Sequence, residues 1–153
     1  MRNKIIILGM IFSNLISSCS TGQKKVPDGK LNDEQILFEY GIYYTPDSYM
    51  TKSDVIELVQ KNYPDFEIID SVPNPENVKG SQIIIKEIIN VKEEFAAPDI
   101  DFLRHSSRGL SDEQKEILQT SDFVILLDFL CIEDKLISTM KNANKLITEL
   151  TIN

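Results

Sequence analysis

The sequence predicts an α+β domain in which helices cover a mixed or antiparallel sheet. Three observations carry that prediction. Apolar residues alternate from Ile36 to Tyr44, a nearly continuous apolar run spans Phe123 to Cys131, and a helix-period stripe runs from Leu136 to Leu150. With the elements between them the order is βαββαβα, as in a ferredoxin-like arrangement.

Each element has a local cause. Ile36, Phe38, Tyr40, Ile42 and Tyr44 fall on one face of the first strand, with Tyr43 on the other. Thr51-x-x-Asp54 offers a helix start, Val55, Ile56, Val59 and Tyr63 give an apolar stripe, and Pro64 ends it. Phe66 to Asp70 is a short strand, and Pro73-Asn74-Pro75 makes the next residues a turn or loop. Ser81 to Val91 fits either period, but its run of isoleucines would crowd a helix, so a strand is expected. Ser111-x-x-Gln114 is a capping box opening a helix that runs to about Gln119. Phe123 to Leu130 should be a central strand buried on both faces, with Asp128 its one exception. From Glu133 onward Leu136, Met140, Ala143, Ile147 and Leu150 recur at steps of four and three, the pattern of a docked helix.

Before the globular pattern come two different segments. Arg2 and Lys4 lead an apolar run, Ile5 to Ile16, that is too short to span hydrocarbon as a helix. Ser17 and Ser18 then precede Cys19, which completes the order of a cleavable export signal. The segment Ser20 to Gln35 is polar, holds Gly22, Pro27 and Gly29, and reads as a tether with a reach of roughly 20–25 Å. The expected organisation is therefore a signal at 1–18, a tether at 19–35 and one globular domain at 36–153.

Leu15-Ile16-Ser17-Ser18-Cys19 resembles the lipobox of bacterial lipoproteins. The resemblance implies that Cys19 becomes the N-terminus and carries thioether-linked diacylglycerol and an amide-linked acyl chain, palmitate among the candidates. Two or three chains hold a protein on a membrane where one is marginal. The resemblance further implies a cell-envelope location, at the outer membrane in a two-membrane cell because Ser20 follows the cysteine. An uncleaved anchor and an ordinary signal cut near Ser20 are the rival readings.

Charge narrows the partner class. The chain carries −8 formally, and loss of Arg2 and Lys4 with residues 1–18 takes it to −10. Such a body opposes binding to nucleic acid or to anionic lipid through the folded part, and favours a basic protein partner. Of the two cysteines, an acylated Cys19 leaves Cys131 without an intramolecular partner, so Cys131 reads as a small buried hydrophobe.

No phosphate loop, nucleophile elbow or paired-cysteine metal knuckle is found in the sequence, and His105 is the only histidine. No catalytic residue, metal or cofactor is therefore assigned. Asp99 and Asp101 offer at most a weak calcium site. One stretch is unusual: past Cys19 the only arginines, Arg104 and Arg108, flank His105 just before Ser111. Arginine forks and a helix N-terminus suit a carboxylate or phosphate, which makes Arg104, His105, Arg108 and Ser111 a candidate anion site. The structural alternative pairs those arginines with Asp99, Asp101 or Asp112. Asp128 has readings of its own: a functional carboxylate, a structural partner of Arg104 or Lys135, or a strand-end residue meeting solvent. The tyrosines from Tyr40 to Tyr63 are either a contact surface or sheet packing.

Arg108-Gly109-Leu110-Ser111-x-Glu113-Gln114, with the apolar strand ending near Asp128-Phe129, resembles a segment of uncharacterised bacterial proteins. That family continues past the final helix into further sheet, so the resemblance implies a shortened member and carries no activity. The function expected from the whole reading is a membrane-anchored envelope lipoprotein with a non-enzymatic binding or accessory role. The alternatives are an acidic inhibitor or immunity-type protein that neutralises a basic partner, and a small enzyme using the Arg104–His105 loop.

Overall fold

The computed structural model describes residues 6–10, 35–44, 50–74, 77–89, 91, 99, 101 and 111–152. Strands β1 (Ile6–Met10), β2 (Gln35–Tyr44), β3 (Phe66–Ile68), β4 (Ser81–Ile89) and β5 (Phe123–Ile132) form one sheet in the order β1-β2-β5-β4-β3. Helices α1 (Lys52–Asn62), α2 (Asp112–Thr120) and α3 (Leu136–Ile152) cover it, and a 3-10 turn over Glu133–Lys135 leads into α3. The fold is α+β, and its sheet is mixed: β3 and β4 run parallel, whereas every other neighbouring pair is antiparallel.

β5, apolar on both sides except at Asp128, takes the middle of the sheet. Val124 to Cys131 are all buried, and β5 pairs along its length with β2 and β4. Its odd-numbered side chains face one layer and its even-numbered ones the other. On the first face Ile125, Leu127, Phe129 and Cys131 join Phe38, Ile42 and Tyr44 of β2, Val55 and Val59 of α1, and Ala143, Leu146, Ile147 and Leu150 of α3. Phe129 lies at its aromatic centre, 5.3 Å from the rings of both Phe38 and Phe66. On the second face Val124 and Leu126 meet Tyr43, Val91 and Leu118 of α2. Burial of these side chains, at about 1.5–3 kcal/mol each, is the dominant stabilising term.

The caps are those the sequence announces. Thr51 and Asp54 close a capping box at α1, and Ser111 and Gln114 close one at α2. Ser81 to Ile89 is a strand, as its β-branched residues require. The segment Ile6–Met10 pairs antiparallel with Glu39–Tyr43 on the outer edge of β2. Cleavage before Cys19 would leave the four-stranded sheet β2-β5-β4-β3.

The ferredoxin-like expectation needs correcting at the level of strand order. That arrangement sets its first and third strands side by side, whereas here β5 separates β2 from β4. Its second and third strands also form an antiparallel hairpin. Here β4 runs parallel to β3, with twelve residues of sequence between them. A stretch of about a dozen residues is what a parallel return requires.

Candidate functional site

Asp128 is the buried charged residue of the described core, and it lies in mid-strand. As an even-numbered residue of β5 it faces the second layer. Register places it directly opposite Glu39 of β2 and Ile84 of β4. Lys86 stands opposite Leu126, one diagonal step away, and reaches across to set its Nζ 2.6 Å from Asp128 Oδ2. Gln82, opposite Leu130, stands on the other diagonal, and its Nε2 donates to Glu67 Oε2 at 2.7 Å. The strand alternation thus gathers Glu39, Asp128, Lys86, Gln82 and Glu67 on one face of the sheet, across four strands.

Burial grades sharply across this group. The Asp128 side chain is 5% exposed and that of Lys86 is 50% exposed. Gln82 is buried, Glu39 half-buried and Glu67 exposed. Two acceptors on the floor have no hydrogen-bond partner, Asp128 Oδ1 and Gln82 Oε1. A buried acceptor left unsatisfied costs about 1–3 kcal/mol, so the pair marks a place where the fold gives up stability. The Glu39 carboxyl is held above its usual range, first by burial, then by the hydrogen bond that only its protonated form can donate to Asp128 and by the charge there; Lys86 opposes the shift. Tyr43, on the same face of β2, has its phenol pushed up to about 12 by burial and by the charge of Glu39.

Chemically the group is an acidic floor with one cation already engaged. It offers acceptors and negative charge, and so suits a hydrogen-bond donor. Among the described residues no three His, Cys, Asp or Glu side chains converge as a metal would need.

The residues singled out in the sequence fall in several places. Cys19, Arg104, His105 and Arg108 lie outside the described residues. Ser111 is the N-cap of α2, and its hydroxyl accepts from the Gln114 amide at 3.2 Å. Asp99 accepts from the amide of Asp101 at 2.7 Å, a local turn contact. Asp128 corrects two expectations, because it is neither at a strand end nor paired with Lys135: the partner is Lys86. Sequence reasoning passes over Lys86 because an isolated lysine in an isoleucine run reads as a solvated edge position. Glu39 alternates correctly as an outward residue and carries no local signal of its partner, which lies 89 positions along the chain. Cys131 is buried, and that burial pushes its thiol up, against a hydrogen bond from Thr139.

Tyr40 and Tyr63 are packing elements with anchored tips. Tyr40 donates to Asn144 Oδ1 at 3.1 Å and Tyr63 to Glu149 Oε2 at 2.9 Å, which ties β2 and the end of α1 to α3. A shallow cleft of about 540 Å³ lies beside that second contact, lined by Lys61, Asn62, Lys145 and Glu149 among others. Glu149 already accepts from Asn62 and Tyr63 there.

No family model matches the chain, and no curated protein or solved structure matches it either.

Proposed function

We propose that the chain is an exported lipoprotein, held on the cell envelope through lipid on Cys19, whose acidic domain has a non-enzymatic binding or accessory role. The observation that carries the reading is the N-terminal sequence: Arg2 and Lys4, the apolar run Ile5 to Ile16, then Ser17-Ser18-Cys19. Two further features support it. The polar stretch after Cys19 is long enough to lift a domain clear of headgroups. A formal charge of −10 after processing suits a protein partner of opposite sign, and in a two-membrane cell Ser20 favours the outer membrane.

Expression in a lipoprotein-processing host tests the anchor. Intact mass should correspond to a chain starting at an acylated Cys19, recovered in the detergent phase. Cys19→Ala should accumulate as unprocessed precursor. Recovery of the same processed, lipidated species from Cys19→Ala would refute the proposal.

A second reading, an acidic inhibitor of a basic protein, is favoured by one observation. Among the described residues, the sheet face holding Glu39, Asp128 and Glu67 carries three carboxylates against the single cation Lys86. Under that reading a basic partner captured by the lipidated chain should lose activity on binding, whereas an accessory role leaves it intact.

A further inference from the structure

The two unpartnered acceptors of the sheet face, Asp128 Oδ1 and Gln82 Oε1, are both on residues only 4% exposed. They stand on diagonal neighbours of one antiparallel ladder, and diagonal neighbours are about 7–8 Å apart at the backbone. Their own groups are otherwise engaged. Lys86 holds Asp128 Oδ2, and the Gln82 amide nitrogen is committed to Glu67. What the floor lacks is therefore a pair of N–H donors. Among the described residues of this sheet face, Glu39 and Glu67 flank the floor and Lys86 alone opposes them.

We propose that Glu39, Asp128 and Gln82 form a binding site for a guanidinium group, which donates to Asp128 Oδ1 and Gln82 Oε1 while Glu39 supplies the opposing charge. A planar fork with five donors can reach two separated acceptors at once, whereas an ammonium donates from a single point. A metal ion suits the site poorly, because the Lys86 ammonium already lies 2.6 Å from Asp128. Glu39 is half-buried and Lys86 half-exposed, whereas Asp128 and Gln82 beneath them are buried. Binding removes the cost of two orphaned acceptors, so the site gains from a ligand what the empty fold forgoes. This inference names the ligand chemistry of the binding role proposed above and needs only that role, not the lipid anchor.

The test titrates the full chain, solubilised in non-ionic detergent, with L-arginine amide and with L-citrulline amide, its neutral isostere. Arginine amide should raise the midpoint of thermal unfolding by about 3–8 °C at roughly tenfold excess over its Kd. Citrulline amide should leave the midpoint unchanged. Glu39→Gln, a half-buried isosteric change that should fold, should weaken the response about tenfold or more, and so should Gln82→Met. A blocked peptide with one central arginine separates the two sources of the group. Tighter binding of the peptide than of arginine amide identifies a protein side chain, and equal binding a free small ligand; either supports the site.

Equal responses to the two amides, or no loss in Glu39→Gln, would overturn the proposal. So would a response confined to the Arg104→Ala/Arg108→Ala double variant, which would mean that the chain supplies its own guanidinium. An unprocessed chain that still binds arginine amide would fail the anchor alone, and a processed chain that binds neither would fail this site alone.

Discussion

Removing Lys86 and removing Asp128 should have unequal costs, and the asymmetry comes from their exposures. Lys86→Met keeps the aliphatic stem and deletes only the ammonium. It leaves a carboxylate that is 5% exposed, with one oxygen already unpartnered and Glu39 across the ladder. Breaking a fully buried pair costs about 3–5 kcal/mol, and an exposed pair contributes about 0–1. With one partner half in water, about 2 kcal/mol is expected. Asp128→Asn leaves a half-exposed lysine that water can solvate, removes a negative charge facing Glu39, and places an amide where it can donate to that carboxylate. Its cost should stay within about 1 kcal/mol.

Urea unfolding at neutral pH measures both. For a slope near ~2 kcal/mol/M, Lys86→Met should lower the midpoint by about 1 M with the slope unchanged, and Asp128→Asn by less than half of that. The double variant should resemble Asp128→Asn, since without the carboxylate the ammonium has nothing to compensate. A cost below ~0.5 kcal/mol for Lys86→Met, together with one above ~2 kcal/mol for Asp128→Asn, would refute the reasoning. Asp128 would then draw its stability from something other than Lys86.

The same geometry sets three further outcomes. The carboxyl of Glu39 is raised in the folded state, so folding binds a proton there; this contribution is fully present below the ordinary value of 4.5 and is lost as pH rises through the folded pKa. Glu39→Gln should therefore flatten that part of the stability–pH curve, as read by thermal unfolding across the acid-to-neutral range. Tyr44 is fully buried with an unpartnered hydroxyl, so Tyr44→Phe should be neutral or stabilising by up to about 1 kcal/mol, and a loss above that size would reveal a hydrogen bond the geometry lacks. In α3, Ile147→Ala should cost about 2–5 kcal/mol because it empties a core position, whereas Leu136→Ala, at a half-buried one, should cost visibly less in the same urea titration.

The contrast between Asp128 and Phe129 explains what a sequence of this kind reveals. The odd-numbered residues of β5 and their partners in β2 are legible because alternation is a local property, and so are both capping boxes, whose partners lie three residues apart. Long-range pairing is not local. Nothing around Ser81 to Ile89 states that β5 will be its neighbour, and the ferredoxin-like expectation failed at that level, where one apolar strand competes with another for the middle of the sheet. The acidic floor is hidden for the same reason. Asp128 can be marked as anomalous from its apolar neighbours alone, but Glu39, Lys86 and Gln82 each look ordinary until register brings them together. A buried carboxylate therefore predicts that a compensating group exists, while only the ladder says which one. In this chain the ladder supplies one cation for three carboxylates and leaves two acceptors open, so the same register that resolves Asp128 also creates the site it suggests.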